Sequence, residues 1–375
     1  MKKVGIIGGG QLGKMMILDG KRLDTWFSIL DPTEHCPAHS IADRHVVAGF
    51  DDVDAILRMA EGMDVVTYEF EHISLRALQI LEEHGHKVYP SSETLGHIQN
   101  KFVQKSWLRK NGIPVPDFIR VSSAEDIYEA EGRYSYPMIL KTCTGGYDGK
   151  GNAVIMSRED VARAFEALGG GRLEMMLEER IDFEREVSIL ACGSENGDVS
   201  VFPVAENVHK DSILDETTVP AAISKRSEEE AFEVAKACLK AFKAVGMLCI
   251  ELFVTREGHI LVNELAPRPH NSGHYTIEGC FTSQFEQHVR AILGYPLGDA
   301  SLIRPTAMKN LIGDRDGEAC LKGLEEAYRL PYLKIHNYGK EQVRRGRKMG
   351  HVTATADTLE EALDAVRKAH SVLRF

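Results

Sequence analysis

From Met247 to His274 the chain reads MLCIELFVTREGHILVNELAPRPHNSGH, two apolar runs joined at Glu257 and Gly258. Runs of this length and composition around a glycine turn predict a β-hairpin. With Glu257-Gly258 as a two-residue turn, Val254 faces Leu261, Leu252 faces Asn263, and Glu251 stands across from Glu264. Cross-strand partners sit about 5 Å apart, and like charges at that spacing repel unless something positive lies between them. Cys249-Ile250 and Ile260-Leu261-Val262 mark both strands as mostly buried, so the two acids are more than a solvated face. A divalent cation is the simplest partner. Oxygen-only ligands favour Mg²⁺ or Mn²⁺ over zinc, and Asn263 offers a further oxygen.

The hairpin runs into Ala266-Pro267-Arg268-Pro269-His270-Asn271-Ser272-Gly273-His274, where two prolines and a glycine forbid a regular element. The resulting loop is dense in donors. Arg268, His270 and Asn271 beside paired carboxylates suit a site where an oxyanion meets a metal nucleotide.

With 375 residues the chain has room for two or three domains and an ample core. Fifty-six acidic against 45 basic residues give a net charge of -11, so the chain has no global electrostatic reason to bind nucleic acid or an anionic membrane. Seven scattered cysteines without a CxxC predict a reducing, cytoplasmic setting. The opening Met1-Lys2-Lys3-Val4-Gly5-Ile6-Ile7 mimics a signal peptide but is cut off by Gly8-Gly9-Gly10. No run approaches the roughly 18 apolar residues of a membrane helix.

Lys3 to Ile7 reads as a buried strand turned by Gly8-Gly9-Gly10-Gln11-Leu12-Gly13 into a helix beginning near Lys14, with Asp31 after a second strand. This G-x-G-x-x-G alone suggests dinucleotide binding, but any doubly wound sheet needs a tight glycine turn there. A strand from Asp64 to Tyr68 leads to Glu69-Phe70-Glu71-His72 at the carboxyl edge where open α/β sheets bind ligands, and Lys87 to Pro90 reads as a fourth strand. A helix from Ile98 to Asn111 carries Lys101 and Lys105 and stops at Gly112-Ile113-Pro114. Lys141 ends the next strand, before Thr144-Gly145-Gly146-Tyr147-Asp148-Gly149-Lys150-Gly151-Asn152. This loop lies between strands and lacks the Gly-Lys-Ser/Thr ending of a Walker loop, so it predicts a lid whose N–H groups and Lys150 fold over phosphates.

Met176 to Ile181 is an apolar strand entering charge, and Glu206 to Asp211 is another polar strand end. Ser227 to Val245 predicts a helix with a Ser227/Glu230 capping box and an apolar stripe, ended by Gly246, and Gly279 to Leu293 predicts another. Near the C-terminus Lys340, Arg344, Arg345, Arg347 and Lys348, with His351, suit one phosphomonoester rather than a polymer.

Lys141, the GGYDGKG loop, Glu178-Glu179, and Glu251 with Asn263-Glu264 resemble the ATP-grasp ligases. Gly8 to Gly13, Tyr68 to His72, Glu206-Asn207-Val208-His209, NELAPRPHNSGH, Tyr338-Gly339-Lys340 and Gly346 to His351 narrow the likeness to the N5-carboxyaminoimidazole ribonucleotide synthetases of purine biosynthesis. The resemblance covers essentially the whole chain. It implies an α/β ATP-grasp fold: a doubly wound, parallel-sheet pre-ATP-grasp domain over residues 1–97, a two-lobed α+β ATP-grasp domain over 98–300 with a lid lobe near 114–178, and a small C-terminal domain over 301–375. It implies that ATP, bicarbonate and aminoimidazole ribonucleotide give ADP, phosphate and the N5-carbamate through carboxyphosphate, in a homodimer that needs Mg²⁺ or Mn²⁺.

By the same pattern Lys101, Lys141 and Gly146, Tyr147, Asp148, Gly149, Lys150, Gly151 and Asn152 hold the ATP phosphates. Glu178, Glu179, Arg180 and Ile181 hold adenine, Glu186 and His209 line the nucleotide pocket, and Glu251 and Glu264, with Asn263 beside them, carry the metal. Arg268, His270 and Asn271 meet bicarbonate and carboxyphosphate. Gln11, Leu12, Glu71, His72, Tyr147, Asp148, Lys150, Lys340, Arg347 and Lys348 meet the ribonucleotide, with Asp148 and Lys340 close to the chemistry. Lys101 stands where such enzymes often carry arginine and Asn152 where they often carry glutamine; lysine keeps the charge but loses the bidentate fork. A formate-dependent glycinamide ribonucleotide formyltransferase shares the fold and is the nearest alternative. An NAD-dependent oxidoreductase would explain the first domain alone.

Overall fold

The computed structural model describes residues 1–146 and 150–375. Four parallel strands, β1 (Lys2–Ile7), β2 (Thr25–Leu30), β3 (Arg44–Val46) and β4 (Val65–Tyr68), form an N-terminal sheet in the order β3-β2-β1-β4. The expected fourth strand at Lys87 to Pro90 reduces to a single parallel bridge between Val66 and Val88. Apolar runs such as Val4-Gly5-Ile6-Ile7 are buried on both faces, as a sheet covered by helices on both sides requires. The first helix starts at Gln11 rather than near Lys14, directly after the glycine turn, so Gln11 and Leu12 belong to its first turn.

The second sheet is antiparallel, with β5 (Phe118–Val121), β6 (Met138–Thr142), β7 (Asn152–Ile155) and β8 (Met175–Glu179) in the order β5-β8-β6-β7. The third contains β9 (Phe183–Gly193), β10 (Val199–Val201), β11 (Ala205–Lys210), β12 (Ile213–Val219), β13 (Gly246–Thr255), β14 (Ile260–Ala266) and β15 (Thr306–Ile312). Beyond a short ribbon of β16 (Gly317–Glu318) and β18 (Gln342–Val343), it is completed by β17 (Leu333–Asn337) and β19 (Lys348–Thr355). Its order is β14-β13-β9-β11-β12-β15-β19-β17, with β10 on β9, so the C-terminal strands continue the sheet that carries the acidic hairpin.

That hairpin departs from its expected register in an instructive way. The connection is three residues long, Arg256-Glu257-Gly258: the Thr255 N–H donates to His259 O, and Gly258 lies in the left-handed region at φ +82°. Leu252 therefore faces Val262 and Val254 faces Ile260, one residue away from the expectation. A bulge after Glu251 then absorbs Asn263 and restores the count, so that Glu251 does pair with Glu264.

The helix over this sheet runs Lys225–Phe242, earlier at both ends than expected. Ser224, not Ser227, caps it, accepting from the Ser227 N–H at 3.1 Å. Ser227 is buried and donates to Gly258 O at 2.8 Å, while Glu230 accepts from the Ile260 N–H, so the two residues of the expected capping box anchor the hairpin instead. Lys243, at φ +48°, ends the helix before Gly246. The long helices expected at Ile98–Asn111 and Gly279–Leu293 are each broken by a polar cap, giving Lys101–Lys110 after Asn100 and Gln284–Ile292 after Ser283. Among the described residues no helix is long and apolar enough to cross a membrane.

Candidate active site

The three sheets converge on one cleft of about 780 Å³. Lys101–Lys110 organises one wall. Asn100 accepts from the Phe102 and Val103 N–H groups, and the Lys101 N–H donates to Cys143 O, which ties the first turn to the end of β6. Residues four apart on a helix share a face. Lys101 meets Glu264 on β14, and Lys105 meets Glu178 on β8. Lys141, from β6, takes the other Glu178 oxygen and lies 3.5 Å from Asn263 Oδ1.

Burial alone would raise the Glu178 carboxyl, but Lys141 and Lys105 outweigh it and hold it at about 2. Burial pulls the Lys105 ammonium down to about 8 despite that pairing. It acts against Lys101 too, but Glu264 wins, and that ammonium stands above its ordinary value. Glu178 is thus held between two lysines, and it lines the cleft together with Glu179, Arg180 and Ile181. Phe183 and Phe253 stack at 4.7 Å in the same wall.

Across the cleft Glu251 and Glu264 stand side by side, as expected. Burial, then Glu264, push the Glu251 carboxyl up to about 6. His270 Nε2 lies 3.2 Å from Glu251 Oε1, and His270 Nδ1 accepts from the Ser272 N–H, so the ring proton sits on Nε2 facing the acid. Burial, then Arg268, keep that imidazole well below its ordinary pKa and therefore neutral. Arg268 forks onto Glu71 through bonds of 2.7 and 3.0 Å; burial would raise Glu71, but the guanidinium holds it at about 2. Asn271 exchanges hydrogen bonds with Asn310. Glu186 pairs with His209 at 2.7 Å, and this bond outweighs burial to raise the imidazole.

Gln11, Leu12, Gly146, Lys150, Asn152 and Lys348 also line the cleft. Lys340 and Arg347 do not line it: Lys340 Nζ donates to Lys348 O at 2.6 Å, and Arg347 donates to Gln342 O. Gly151 is spent on the lid strands, its carbonyl accepting from the Thr142 N–H. His72 is exposed and does not line the cleft, whereas Glu69, Phe70 and Glu71 do, so the structure does not bring His72 together with the other substrate residues. Tyr147, Asp148 and Gly149 lie outside the described residues.

The glycine turn is occupied by the chain itself. Glu69 accepts from the Gly10 and Gly13 N–H groups at 2.5 and 2.7 Å, and Asp31 accepts from Gly9 at 2.9 Å. A Cβ at Gly10 would lie 2.5 Å from Glu69 Oε1, so the glycines serve this contact. The donors a dinucleotide pyrophosphate would need are taken.

Family models match in chain order: a ribonucleotide synthetase preATP-grasp domain over residues 1–99, an ATP-grasp domain over 106–285, and a phosphoribosylaminoimidazole carboxylase C-terminal domain over 306–365. The N5-carboxyaminoimidazole ribonucleotide synthase of Bacillus subtilis is 41% identical over 93% of this chain and 90% of its own length. The chain belongs to the N5-carboxyaminoimidazole ribonucleotide synthase family of ATP-grasp enzymes. An ADP complex of an N5-carboxyaminoimidazole ribonucleotide synthetase superposes with a TM-score of 0.91 at 44% identity, covering 98% of this chain and 96% of the other. The Aspergillus clavatus synthase in complex with ADP and 5-aminoimidazole ribonucleotide gives a TM-score of 0.91 at 34% identity, covering 99% and 98%.

For a member of this synthase family, sequence reasoning missed three features of the cleft. Lys105 has its signal in the four-residue spacing from Lys101. Glu69 has its signal in the alternation of Tyr68-Glu69-Phe70-Glu71. The Phe183–Phe253 stack has none, because the two residues meet only through the pairing of β9 with β13.

Proposed function

We infer that this chain carries out the ATP- and bicarbonate-dependent carboxylation of 5-aminoimidazole ribonucleotide to N5-carboxyaminoimidazole ribonucleotide in purine biosynthesis. The observation that carries the reading is one cleft in which the Glu251/Glu264 pair, Lys101 and Lys141, and the Arg268/His270/Asn271 loop face one another beside Lys348. A bicarbonate oxygen attacks the γ-phosphorus and ADP leaves. The carboxyphosphate so formed releases phosphate and CO₂, and the exocyclic amine bonds to the carbon and sheds one proton. Such chemistry is governed by positioning and charge stabilisation.

Lys101, Lys141, Lys150 and the loop from Gly146 to Asn152 would hold the ATP phosphates. The backbone of Glu179 to Ile181 takes adenine, between Ile139 and the phenylalanine stack, and Glu186 with His209 holds the ribose. Glu251 and Glu264, with Asn263 Oδ1, form an oxygen-only donor set that fits Mg²⁺: one acid is desolvated, the other balanced by Lys101. Among the described residues no three histidines, cysteines or acids cluster to hold a metal, so phosphate oxygens and water would fill the rest of the shell. When bound, the ion neutralises charge between the phosphates.

Arg268, oriented by Glu71, faces the carboxyphosphate with Asn271 and with His270, whose Nε2–H points into the cleft. Lys348 binds the ribonucleotide phosphate, flanked by Lys340 and Arg347, with Gln11 and Leu12 opposite and Tyr147 and Asp148 contributed by the lid. The lobe near residues 114–178 is the closing lid. Seven free thiols, six of them buried, support a reducing cytoplasmic setting, and a homodimer is the assembly light scattering should find.

The test is ADP release in bicarbonate buffer with Mg²⁺ and ATP, with and without aminoimidazole ribonucleotide. Release that requires the imidazole nucleotide supports the reading. Release only with glycinamide ribonucleotide and formate would overturn the substrate, and tight NAD binding without ATP turnover would overturn the reaction class.

A further inference from the structure

Lys105 is a second buried lysine that the reaction as described leaves without work. Its side chain is 2% exposed and does not line the cleft, so it cannot touch a nucleotide there. Its partner Glu178 lines the cleft, as does Lys141 on the other Glu178 oxygen. Burying an ammonium is unfavourable unless it is compensated, and a buried hydrophobic residue in its place is often no less stable. A charge at this position therefore calls for a reason beyond packing.

We propose that Lys105 is a positioning residue for the ATP end of the reaction, acting through Glu178 to set where the Lys141 ammonium stands and how much of its charge remains for phosphate. The inference rests on Lys141 meeting the nucleotide. A carboxylate shared by two lysines leaves one net positive charge, and of the two ammonium groups it is Lys141 that lines the cleft. Without Lys105, Glu178 and Lys141 close into a one-to-one pair, which draws the ammonium back and neutralises it. Lys101 makes the same helix face hold Glu264 one turn earlier, so Lys101–Lys110 ties the lid sheet and the metal-side hairpin together through two ion pairs. Lys105 supplies the lid half of that tie.

Charge balance predicts a reversal that a structural role does not. In the full chain, Lys105→Met should raise KM for ATP about tenfold and leave KM for aminoimidazole ribonucleotide within about threefold. Adding Glu178→Gln to Lys105→Met frees Lys141 again and should return KM for ATP to within about threefold of the unmodified chain. Equal shifts in both KM values, or a double variant no better than Lys105→Met, would overturn the proposal. If Lys105→Met does not fold, ADP affinity by calorimetry on the double variant decides: binding within about threefold of the unmodified chain supports the charge balance, and binding weaker by about tenfold or more overturns it. An unmodified chain that turns over ATP only with another acceptor would refute the substrate reading and leave the ATP comparison intact. A Lys105→Met enzyme that uses the imidazole nucleotide with unchanged KM for ATP would refute this inference alone.

Discussion

Glu264 bears two partners at once, the Lys101 ammonium and the carboxyl of Glu251 across the strand pair. Replacing it by glutamine keeps the volume but removes one proposed metal ligand and leaves Lys101 without its counter-charge. ADP release dependent on the imidazole nucleotide should fall by at least about 100-fold, roughly 2.7 kcal/mol in the barrier, with the thermal midpoint moved by only a few degrees. A variant that retains more than a tenth of the parent kcat would remove Glu264 from the metal site. At this scale the sequence was informative where the partner lies on the neighbouring strand: the pairing of Glu251 with Glu264 was legible from the turn, although a bulge is needed to produce it. It was silent on Lys105 and Glu178, because helical spacing says which lysines share a face and not which sheet that face meets. His72 shows the converse. Its type and its place beside Glu71 suggested a ligand, but it is exposed to solvent outside the cleft that Glu69, Phe70 and Glu71 line.

The hairpin shows how an element can be read correctly for an incomplete reason. A two-residue turn and a three-residue turn with a bulge give the same facing pair at Glu251 and differ only between them, so the expectation survived a one-residue slip. Gly258 decides which turn forms, since its left-handed φ suits few other residues and its carbonyl receives the Ser227 hydroxyl. A Cβ there would also lie 3.1 Å from Ser227 Oγ. Gly258→Val should destabilise the chain by about 1–2 kcal/mol through backbone strain, lowering the thermal midpoint by a few degrees, while KM for ATP stays within about twofold because the bulge still fixes Glu251 against Glu264. A large rise in KM without loss of stability would mean that the turn, and not the bulge, sets the metal ligands. The helix cap moved for a related reason. Ser224 and Ser227 are both suitable N-cap residues, and the cap falls to Ser224, although only Ser227 has a glutamate three residues on, because Ser227 is needed by the hairpin.

Over the whole molecule the cleft is a set of opposed charges whose pKa values are pulled apart. Glu71 and Glu178 are held at about 2 by Arg268 and by the two lysines. Their contribution to stability is complete above the ordinary carboxylate value near 4.5 and is lost progressively as pH falls toward 2. Glu251 runs the other way: with its carboxyl raised to about 6, the proton it retains favours the folded state at low pH, and that advantage disappears as pH rises through 6. Burial holds His270, His274, His288 and His351 below the ordinary imidazole value, which opposes Glu251 over the same range, so the urea midpoint of the ligand-free chain should fall as pH drops below about 6.5 and fall further below 4.5. The neutral pair Glu71→Gln with Arg268→Met removes one depressed carboxyl together with its partner, avoiding an uncompensated charge. It should flatten the acid limb by on the order of 1–3 kcal/mol between pH 4.5 and 3 while leaving the limb above pH 6 unchanged. An acid limb as steep as that of the parent would mean that the Arg268 fork does not hold Glu71 in solution, and the guanidinium would then be free to meet the oxyanion without a positioning partner.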